Sequence, residues 1–350
     1  MAGHPDQNSV NPLLSPITRD VKALSYYCNG IADGNRFVLA EAITLIESNN
    51  RHKQELASQI SSFCFPISSS KKTLRLAITG PPGAGKSTFI ESFGLYLIAK
   101  GHHLAVLAID PSSRKTGGSI LGDKSRMEKL ASNANAFIRP SSAGELLGGV
   151  AYGTKESIPL CEAAGYDMVL VETVGVGQSE YLASEICDIT ILLIQPGSGD
   201  DMQGMKKGIV EVADIFIVTK ADGQQLEIAQ KSKKFFQEAL HLTTKRSDNK
   251  IPPVLTTSSL EKTGFDEIYN AIVDYRLYLE HNNLIAINRI HQDEKWFNYV
   301  LKEKSLLYIL ENNQLKKQYE NIRSLLLKGN LSSHAAVIQM EDSILTFLSH

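Results

Sequence analysis

Cysteine is scarce and scattered in this chain of 350 residues. The four cysteines, at positions 28, 64, 161 and 187, form no CxxC pair and have no histidine at ligand spacing. A tetrahedral zinc site or a disulfide framework requires such groupings. The sequence therefore predicts reduced cysteines that serve as packing residues. The nine histidines are also dispersed, and the adjacent His102 and His103 are predicted to be loop residues rather than metal ligands.

An excess of charge of one sign is also lacking. The chain carries 36 lysines and arginines against 38 aspartates and glutamates, a formal net charge of -2. Proteins that bind nucleic acid or an anionic membrane surface usually present clustered positive charge. We therefore expect neither nucleic acid nor a membrane among the partners.

Long apolar runs are absent from the sequence as well. Runs such as LAVLAI stop at about six residues, far short of the ~20 that span a bilayer. The first 25 residues contain neither the apolar centre of a signal peptide nor the arginine-rich, acid-free pattern of a transit peptide. The sequence predicts a cytoplasmic protein.

The hydrophobic content of 43% is enough to bury a large core. Three parts are predicted: a helical segment over residues 1–70, a core domain over residues 71–280 and a helical tail over residues 281–350. In the first part, Phe37, Ala40, Ile43 and Leu45 recur close to a 3.6-residue period, which predicts an amphipathic helix.

Short β-branched runs alternate with longer helical stretches between about residues 73 and 280, which is typical of parallel βαβ units. The runs are apolar on both faces, as expected when helices cover each side of a parallel sheet. The predicted fold is α/β, with a doubly wound, mostly parallel sheet. The predicted strands are residues 74–79, 104–109, 167–172, 189–194, 214–219 and 253–258.

The tail has a different pattern. Leu315, Tyr319, Ile322 and Leu326 repeat at spacings of 4, 3 and 4 in a charged background, which predicts a helix with an apolar seam. This periodicity fits an antiparallel hairpin packed on its own core and a dimerisation arm equally well.

The stretch GPPGAGKST, residues 80–88, matches the phosphate-loop pattern GxxxxGK[ST]. It follows a predicted strand and opens an amphipathic stretch, which is the context that the pattern requires. Glycines permit a backbone path whose N–H groups turn onto phosphate oxygens at a helix N-terminus. The predicted nucleotide-binding residues of this loop are Gly80, Pro81, Pro82, Gly83, Ala84, Gly85, Lys86, Ser87 and Thr88.

Individual residues of the loop have distinct predicted roles. Lys86 supplies a positive charge to the β and γ phosphates, the Ser87 hydroxyl ligates Mg²⁺ and Thr88 reaches the α-phosphate. Pro81 and Pro82 lack N–H donors and stiffen the loop.

Two carboxylates end predicted strands of the same sheet, Asp110 after residues 104–109 and Glu172 after residues 167–172. Ligands of open α/β sheets lie outside the carboxyl ends of the strands. We therefore predict that both acids, together with Ser87, face the metal of the nucleotide, rather than only capping the next helix. Gly175 follows Glu172 closely and would let a backbone N–H approach the γ-phosphate and sense its loss.

The tetrapeptide TKAD, residues 219–222, resembles the guanine-reading NKxD element, with Thr219 in place of Asn. Asp222 could accept hydrogen bonds from guanine N1–H and N2–H₂, while the stem of Lys220 could cover the base. The later stretch TTSSLEKTG resembles a second base loop, in which Ser258 and Ser259 are predicted to present backbone donors to guanine O6. GTP is favoured over ATP.

Four longer stretches resemble the MeaB/MMAA/ArgK family of SIMIBI-class P-loop GTPases. They are residues 108–127, 139–151, 171–180 and 197–223. The resemblance implies a GTPase that produces GDP and phosphate and acts as a chaperone of adenosylcobalamin-dependent methylmalonyl-CoA mutase or a related mutase, gating cofactor loading and protecting the enzyme. It also implies that the tail forms a homodimer.

The same resemblance assigns roles to further residues. It implies that Asp110, Asp123 and Glu172 belong to the Mg²⁺ and switch network, and that the GDDMQGMKKG segment is a third switch. Asp200 and Lys206 in that segment would couple the partner or stabilise transition-state charge, so they join Lys86 and Glu172 as predicted catalytic residues. Thr219 departs from the family pattern, which implies lower affinity for the base.

Three other functions remain open on the sequence. Some members of this family have been described as kinases of arginine or ornithine transport proteins, which makes a phosphotransferase the main alternative. A nickel-delivery GTPase is disfavoured because a histidine-rich tract and a Cys/His pair are missing. A scaffold that binds GTP without hydrolysing it is the third.

Overall fold

The computed structural model describes residues 21–48, 50–109, 127–140, 149–173, 183–197, 207–243 and 251–349. The helices in these ranges are α1 Leu24–Ala32, α2 Arg36–Ile46, α3 Arg51–Ser70, α4 Lys86–Ala99, α5 Glu128–Ala131, α6 Gly149–Ala163, α7 Lys207–Val212, α8 Leu226–Thr243, α9 Phe265–His281, α10 Leu284–Glu311, α11 Asn313–Leu327 and α12 Ser333–Leu348. The strands are β1 Leu74–Thr79, β2 Leu104–Ile109, β3 Ala136–Pro140, β4 Met168–Thr173, β5 Ile189–Ile194, β6 Ile215–Val218 and β7 Val254–Thr256.

The chain divides into two compact units. One comprises Met1–Lys72 with Glu156–Gly165, and the other comprises Thr73–Lys155 with Tyr166–His350. The first unit contains α1, α2, α3 and the C-terminal part of α6, and the second contains the sheet.

Helix α2 begins where the sequence predicts a helix, and the Asn35 side chain caps it by accepting hydrogen bonds from the amides of Phe37 and Val38. Of the four residues whose spacing predicted this helix, Ile43 and Leu45 are buried, whereas Phe37 lies outside the buried face. Phe37 is 83% exposed, because the buried residues follow the spacings 38–42–45 and 39–43–46 and position 37 lies on the opposite side of the helix.

All four cysteines are free and buried, as the sequence predicted. Burial raises the pKa of Cys64 to about 12, and it raises the pKa values of Cys161 and Cys187 as well. A thiol must ionise to react or to bind a metal. These cysteines therefore act as small apolar packing residues.

The second unit is built on a seven-stranded parallel sheet with the strand order β3-β2-β4-β1-β5-β6-β7. The predicted α/β fold with a doubly wound parallel sheet is therefore confirmed. Every residue of β1, β4 and β5 is buried, which explains why these strands are apolar on both faces.

The sequence predicted six of the seven strands found in the described ranges, three of them with the observed bounds. It missed β3, an edge strand with the sequence AFIRP. Only its first three residues are buried, so β3 lacks the long apolar run of a central strand. A proline at its end is compatible with an edge position.

The adjacent histidines lie between α4 and β2, as predicted. The Nδ1 atom of His102 is 2.7 Å from Oδ2 of Asp167, and the His103 amide donates to Oδ1 of the same carboxylate. Partial burial favours a higher pKa for Asp167, but these hydrogen bonds outweigh burial and hold its pKa below the ordinary value. The two histidines thus bond the segment between α4 and β2 to Asp167.

The tail consists of α10, α11 and α12, with α11 packed against α12. Leu315 is 2% exposed, whereas Tyr319 and Leu326 of the predicted seam remain 37% and 38% exposed. The seam is therefore only partly covered within the chain.

The first turns of α10 are bonded to the amino ends of two central strands. Arg289 forms a bidentate ion pair with Asp188, with N–O distances of 2.8 and 2.7 Å, and also donates to the Thr73 carbonyl at 2.7 Å. Asp188 precedes β5, and its side chain is 1% exposed. Gln292 adds a 2.7 Å hydrogen bond to the Cys187 carbonyl. The tail is thus anchored at the edge of the sheet where β1 and β5 begin.

Replacing Asp188 tests this anchor. We expect Asp188→Ala to lower the free energy of unfolding by about 3–5 kcal/mol, because it leaves the Arg289 guanidinium without its buried partner. Urea titration followed by circular dichroism measures the change. Lys231→Ala, which removes an exposed pair with Glu227, is the control and should leave the urea midpoint unchanged. Equal effects of the two substitutions would show that the buried pair has no special role.

Candidate nucleotide-binding site

The predicted phosphate loop connects β1 to α4 at the carboxyl end of the sheet. A Cβ atom on Gly80 would lie 2.4 Å from the Leu193 carbonyl oxygen, so no larger residue fits there. Gly85 has a φ of 83° and occupies the N-cap position of α4, a left-handed conformation that favours glycine. These glycines thus bring the loop close to β5 and direct the chain into a helix whose N-terminus attracts anions.

Lys86 is the first residue of α4 and is 8% exposed. Its Nζ atom donates to the carbonyl oxygens of Gly80, at 2.7 Å, and Pro81, at 3.1 Å. The ammonium group is therefore held over the loop rather than in open solvent. A fixed positive charge beside inward-turned amides suits a polyphosphate.

Ser87, in the first turn of α4, and Glu172, in β4, are in contact at the carboxyl end of the sheet. The Ser87 hydroxyl donates to Oε1 of Glu172 at 2.8 Å, and Glu172 is 8% exposed. The pairing of β1 with β4 places Ile78 beside Glu172 and so brings this acid next to the loop. A hydroxyl and a carboxylate in contact are suitable ligands for Mg²⁺, which usually takes one or two protein oxygens and completes its shell with phosphate and water.

Within the described ranges, no group of three or more His, Cys, Asp or Glu residues could hold a metal ion by itself.

The first predicted base loop lies directly against the phosphate loop. Thr219 is 3% exposed, and its hydroxyl donates to the Ala84 carbonyl at 2.8 Å. Lys220 has a φ of 54°, an uncommon conformation for a residue with a side chain. A Cβ on Gly85 would lie 4.0 Å from Lys220 Cε, so the lysine stem runs beside the loop, where a base could rest against it.

The two predicted base loops are joined by a side-chain contact. The Ser258 hydroxyl donates to Oδ2 of Asp222 and itself accepts from the Glu261 amide at 3.0 Å. This contact fixes the direction of the Asp222 carboxylate, which is the predicted acceptor for guanine.

The predicted role of Ser258 as a backbone donor to guanine is not met in the structure. Its amide already donates to the Thr263 carbonyl at 3.2 Å in a local β-bridge. Because the amide is used within the turn over residues 258–263, Ser258 acts on the site through its hydroxyl, which bonds to Asp222. Sequence reasoning missed this contact since the two partners are 36 residues apart.

Five predicted site residues lie outside the described residues: Asp110, Asp123, Gly175, Asp200 and Lys206. One described neighbour of the loop was not singled out by the sequence. A Cβ on Gly83 would lie 3.4 Å from Oε1 of Gln195, which follows β5. A lone glutamine after a strand carries no motif, so only the fold reveals its position.

Comparison with known proteins agrees with this geometry. Residues 39–314 match the family model described as "Methylmalonyl Co-A mutase-associated GTPase MeaB". The chain belongs to this family. The family resemblance expected from the sequence is thereby confirmed, and the chain is a P-loop GTPase that binds guanine nucleotides.

Individual relatives cover most of the chain. GTPase ArgK of Escherichia coli (strain K12) is 42% identical over 316 residues, which are 90% of this chain and 95% of that protein. The Mus musculus protein named methylmalonic aciduria type A homolog, mitochondrial, is 39% identical over 311 residues, 87% of this chain and 75% of that one. A crystal structure described as LAO/AO transport system kinase is 35% identical, with a TM-score of 0.72, and covers 92% of this chain and 97% of that chain.

Among the helices that the structure describes, none has both the length and the apolarity needed to cross a membrane.

Replacing Lys86 tests the phosphate site. We expect Lys86→Ala to weaken GTP binding by about 100-fold or more, because hydrogen bonds to charged groups contribute about 1.5–3 kcal/mol each. Isothermal titration calorimetry with Mg²⁺ and GTP gives the affinity, and circular dichroism verifies the fold. Lys129→Ala removes an exposed lysine from α5 and is the matched control. Near-normal affinity of the Lys86 variant would refute the assigned site.

Proposed function

We propose that this GTPase is a nucleotide-controlled chaperone of adenosylcobalamin-dependent methylmalonyl-CoA mutase or a related mutase. GTP binding and hydrolysis would gate cofactor loading and protect the enzyme. The observation that carries the proposal is the match of residues 39–314 to a family named for its association with that mutase. The name of the mouse relative, which refers to methylmalonic aciduria, supports the same client.

The site supports GTP hydrolysis that sets how long the GTP-bound conformation lasts. Ser87 and Glu172, in contact at 2.8 Å, would hold Mg²⁺ beside the phosphates, where the ion when bound neutralises charge on the β and γ groups. Lys86, held at the loop by the Gly80 and Pro81 carbonyls, would bind the same phosphates. Glu172 and Thr173 end β4 and lead directly into the VGVG stretch, in which Gly175 is predicted to sense the loss of the γ-phosphate.

We also propose that the tail forms a homodimer through α10. Residues at spacings of 3, 7, 4 and 7 form an a/d heptad seam on this helix. Each is at least 46% exposed: Ile287, Ile290, Phe297, Leu301 and Tyr308. Arg289 and Gln292 lie off this seam and bond to the sheet, so one side of α10 is fixed while the other offers an apolar surface.

Replacing Phe297 tests the seam. The chain of 38.4 kDa is expected to sediment as a dimer, and Phe297→Glu to sediment as a monomer, because a charge in the seam opposes association. Phe37→Glu, at an even more exposed phenylalanine in the first unit, is the control and should remain dimeric. A monomeric wild-type chain at micromolar concentration in sedimentation equilibrium would refute the dimer.

A second function is favoured by one observation, the description of a similar solved structure as a transport system kinase. A kinase would transfer the γ-phosphate to a protein, whereas the chaperone would release it into solution. The destination of labelled phosphate therefore separates the two.

Turnover with the client tests the proposed function. We expect purified adenosylcobalamin-dependent methylmalonyl-CoA mutase to accelerate phosphate release from γ-³²P-GTP by about tenfold or more, which corresponds to about 1.4 kcal/mol of the barrier. Lys206→Ala should reduce the stimulated rate more than GTP affinity, while Lys129→Ala should change neither. Label on an acceptor protein would favour the kinase. No stimulation and no complex in size-exclusion chromatography would reject the mutase as client.

A further inference from the structure

The Thr219 hydroxyl faces two backbone carbonyls with a single proton. Its Oγ1 atom lies 2.8 Å from the Ala84 oxygen and 3.1 Å from the Ile194 oxygen. A hydroxyl can donate only one strong hydrogen bond. Since Thr219 is also 3% exposed, it presents almost no surface and no available donor to a base.

Three backbone donors of the base loops are likewise directed inward. The Thr219 amide donates to the Ile194 carbonyl at 2.9 Å, the Ala221 amide to the Thr257 carbonyl at 3.0 Å and the Ser258 amide to the Thr263 carbonyl at 3.2 Å. The first two bonds join the first base loop to β5 and to the second base loop, and the third closes the second base loop on itself. They also remove these amides from the set that could read a nucleotide.

Asp222, in contrast, offers a hydrogen-bond acceptor to a base. It receives the Ser258 hydroxyl on Oδ2, which fixes the carboxylate and leaves Oδ1 as a second acceptor. Guanine presents donors at N1 and N2 on one edge and acceptors at N7 and O6 on the other. A carboxylate can read only the donor edge, and Thr219, Ala221 and Ser258 have already used their amide protons within the protein, as Thr219 has used its hydroxyl proton.

We propose that this GTPase reads guanine through its N1/N2 edge with Asp222 and does not read N7, Thr219 being a positioning residue that ties the end of β6 to the phosphate loop. The inference rests on the guanine-nucleotide site of the proposed function and specifies its selectivity. The protein accepts guanine nucleotides altered at position 7 and discriminates against purines that lack the N2 amine.

Two GTP analogues test the edge assignment in the wild-type chain. In 7-deaza-GTP a CH group replaces N7, and in ITP the N2 amine is missing. With Mg²⁺ present, calorimetry is expected to give 7-deaza-GTP a Kd within about twofold of that for GTP, and ITP a Kd about tenfold or more weaker, the effect of one hydrogen bond to a charged acceptor. A Kd for 7-deaza-GTP about tenfold weaker than that for GTP would overturn the proposal.

Variants at Thr219 give a readout that a purely structural role would not change. Thr219→Asn supplies two N–H donors, one for the Ala84 carbonyl and one for the base edge, so it should acquire about a fivefold preference for GTP over 7-deaza-GTP. Failure of a folded Thr219→Asn protein to acquire this preference would overturn the placement of residue 219 at the N7 edge.

Removal of the hydroxyl tests the positioning role. Thr219→Val should weaken the binding of GTP and of 7-deaza-GTP by the same factor, because the hydrogen bond to Ala84 is lost without any change at N7. Thr219→Ser should restore the affinity for both nucleotides. Selective weakening of GTP in Thr219→Val would mean that Thr219 itself reads N7 and would overturn the proposal. Circular dichroism establishes that each variant is folded. A wild-type chain that binds no GTP would instead refute the nucleotide site itself, so the two failures are distinguishable.

Discussion

The position of β1 between β4 and β5 is the constraint on which the whole site depends. Its pairing with β4 brings Glu172 to Ser87. Its pairing with β5 brings the Leu193 carbonyl so close to Gly80 that a side chain there is excluded. Because the strands are parallel, their carboxyl ends coincide, and the residues after them form one surface. A different strand order would leave each motif unchanged in the sequence but would separate the motifs in space, so the site would not form.

The sequence predicted the parts of this arrangement that depend on local patterns. The central strands are mostly apolar, and the phosphate-loop motif consists of consecutive residues, so both could be located without a structure. Edge strand β3 was missed because its last two residues are only partly buried and it lacks a long apolar run. The period predicted for α2 wrongly included Phe37, because large apolar side chains are often exposed and their type alone does not show burial.

Contacts between distant loops were less accessible to sequence reasoning. The residues Asp222 and Ser258 were both selected, yet the hydrogen bond between them depends on a turn that closes at Thr263 and uses the Ser258 amide. The anchoring of α10 by Asp188 is similar, because an acid before a strand and an arginine 101 residues later carry no joint signal. Such pairs are defined by topology, and their residue types alone are compatible with many partners.

Helix α10 has a consequence for how binding events are separated in space. It is bonded where β1 and β5 begin, whereas the phosphate loop lies where β1 ends, about 20 Å away for a strand of six residues. A protein bound to the a/d seam of α10 near this anchor would therefore leave the phosphate loop accessible. Guanine nucleotides could then exchange while the assembly stays intact, so its lifetime would not have to match the hydrolytic cycle.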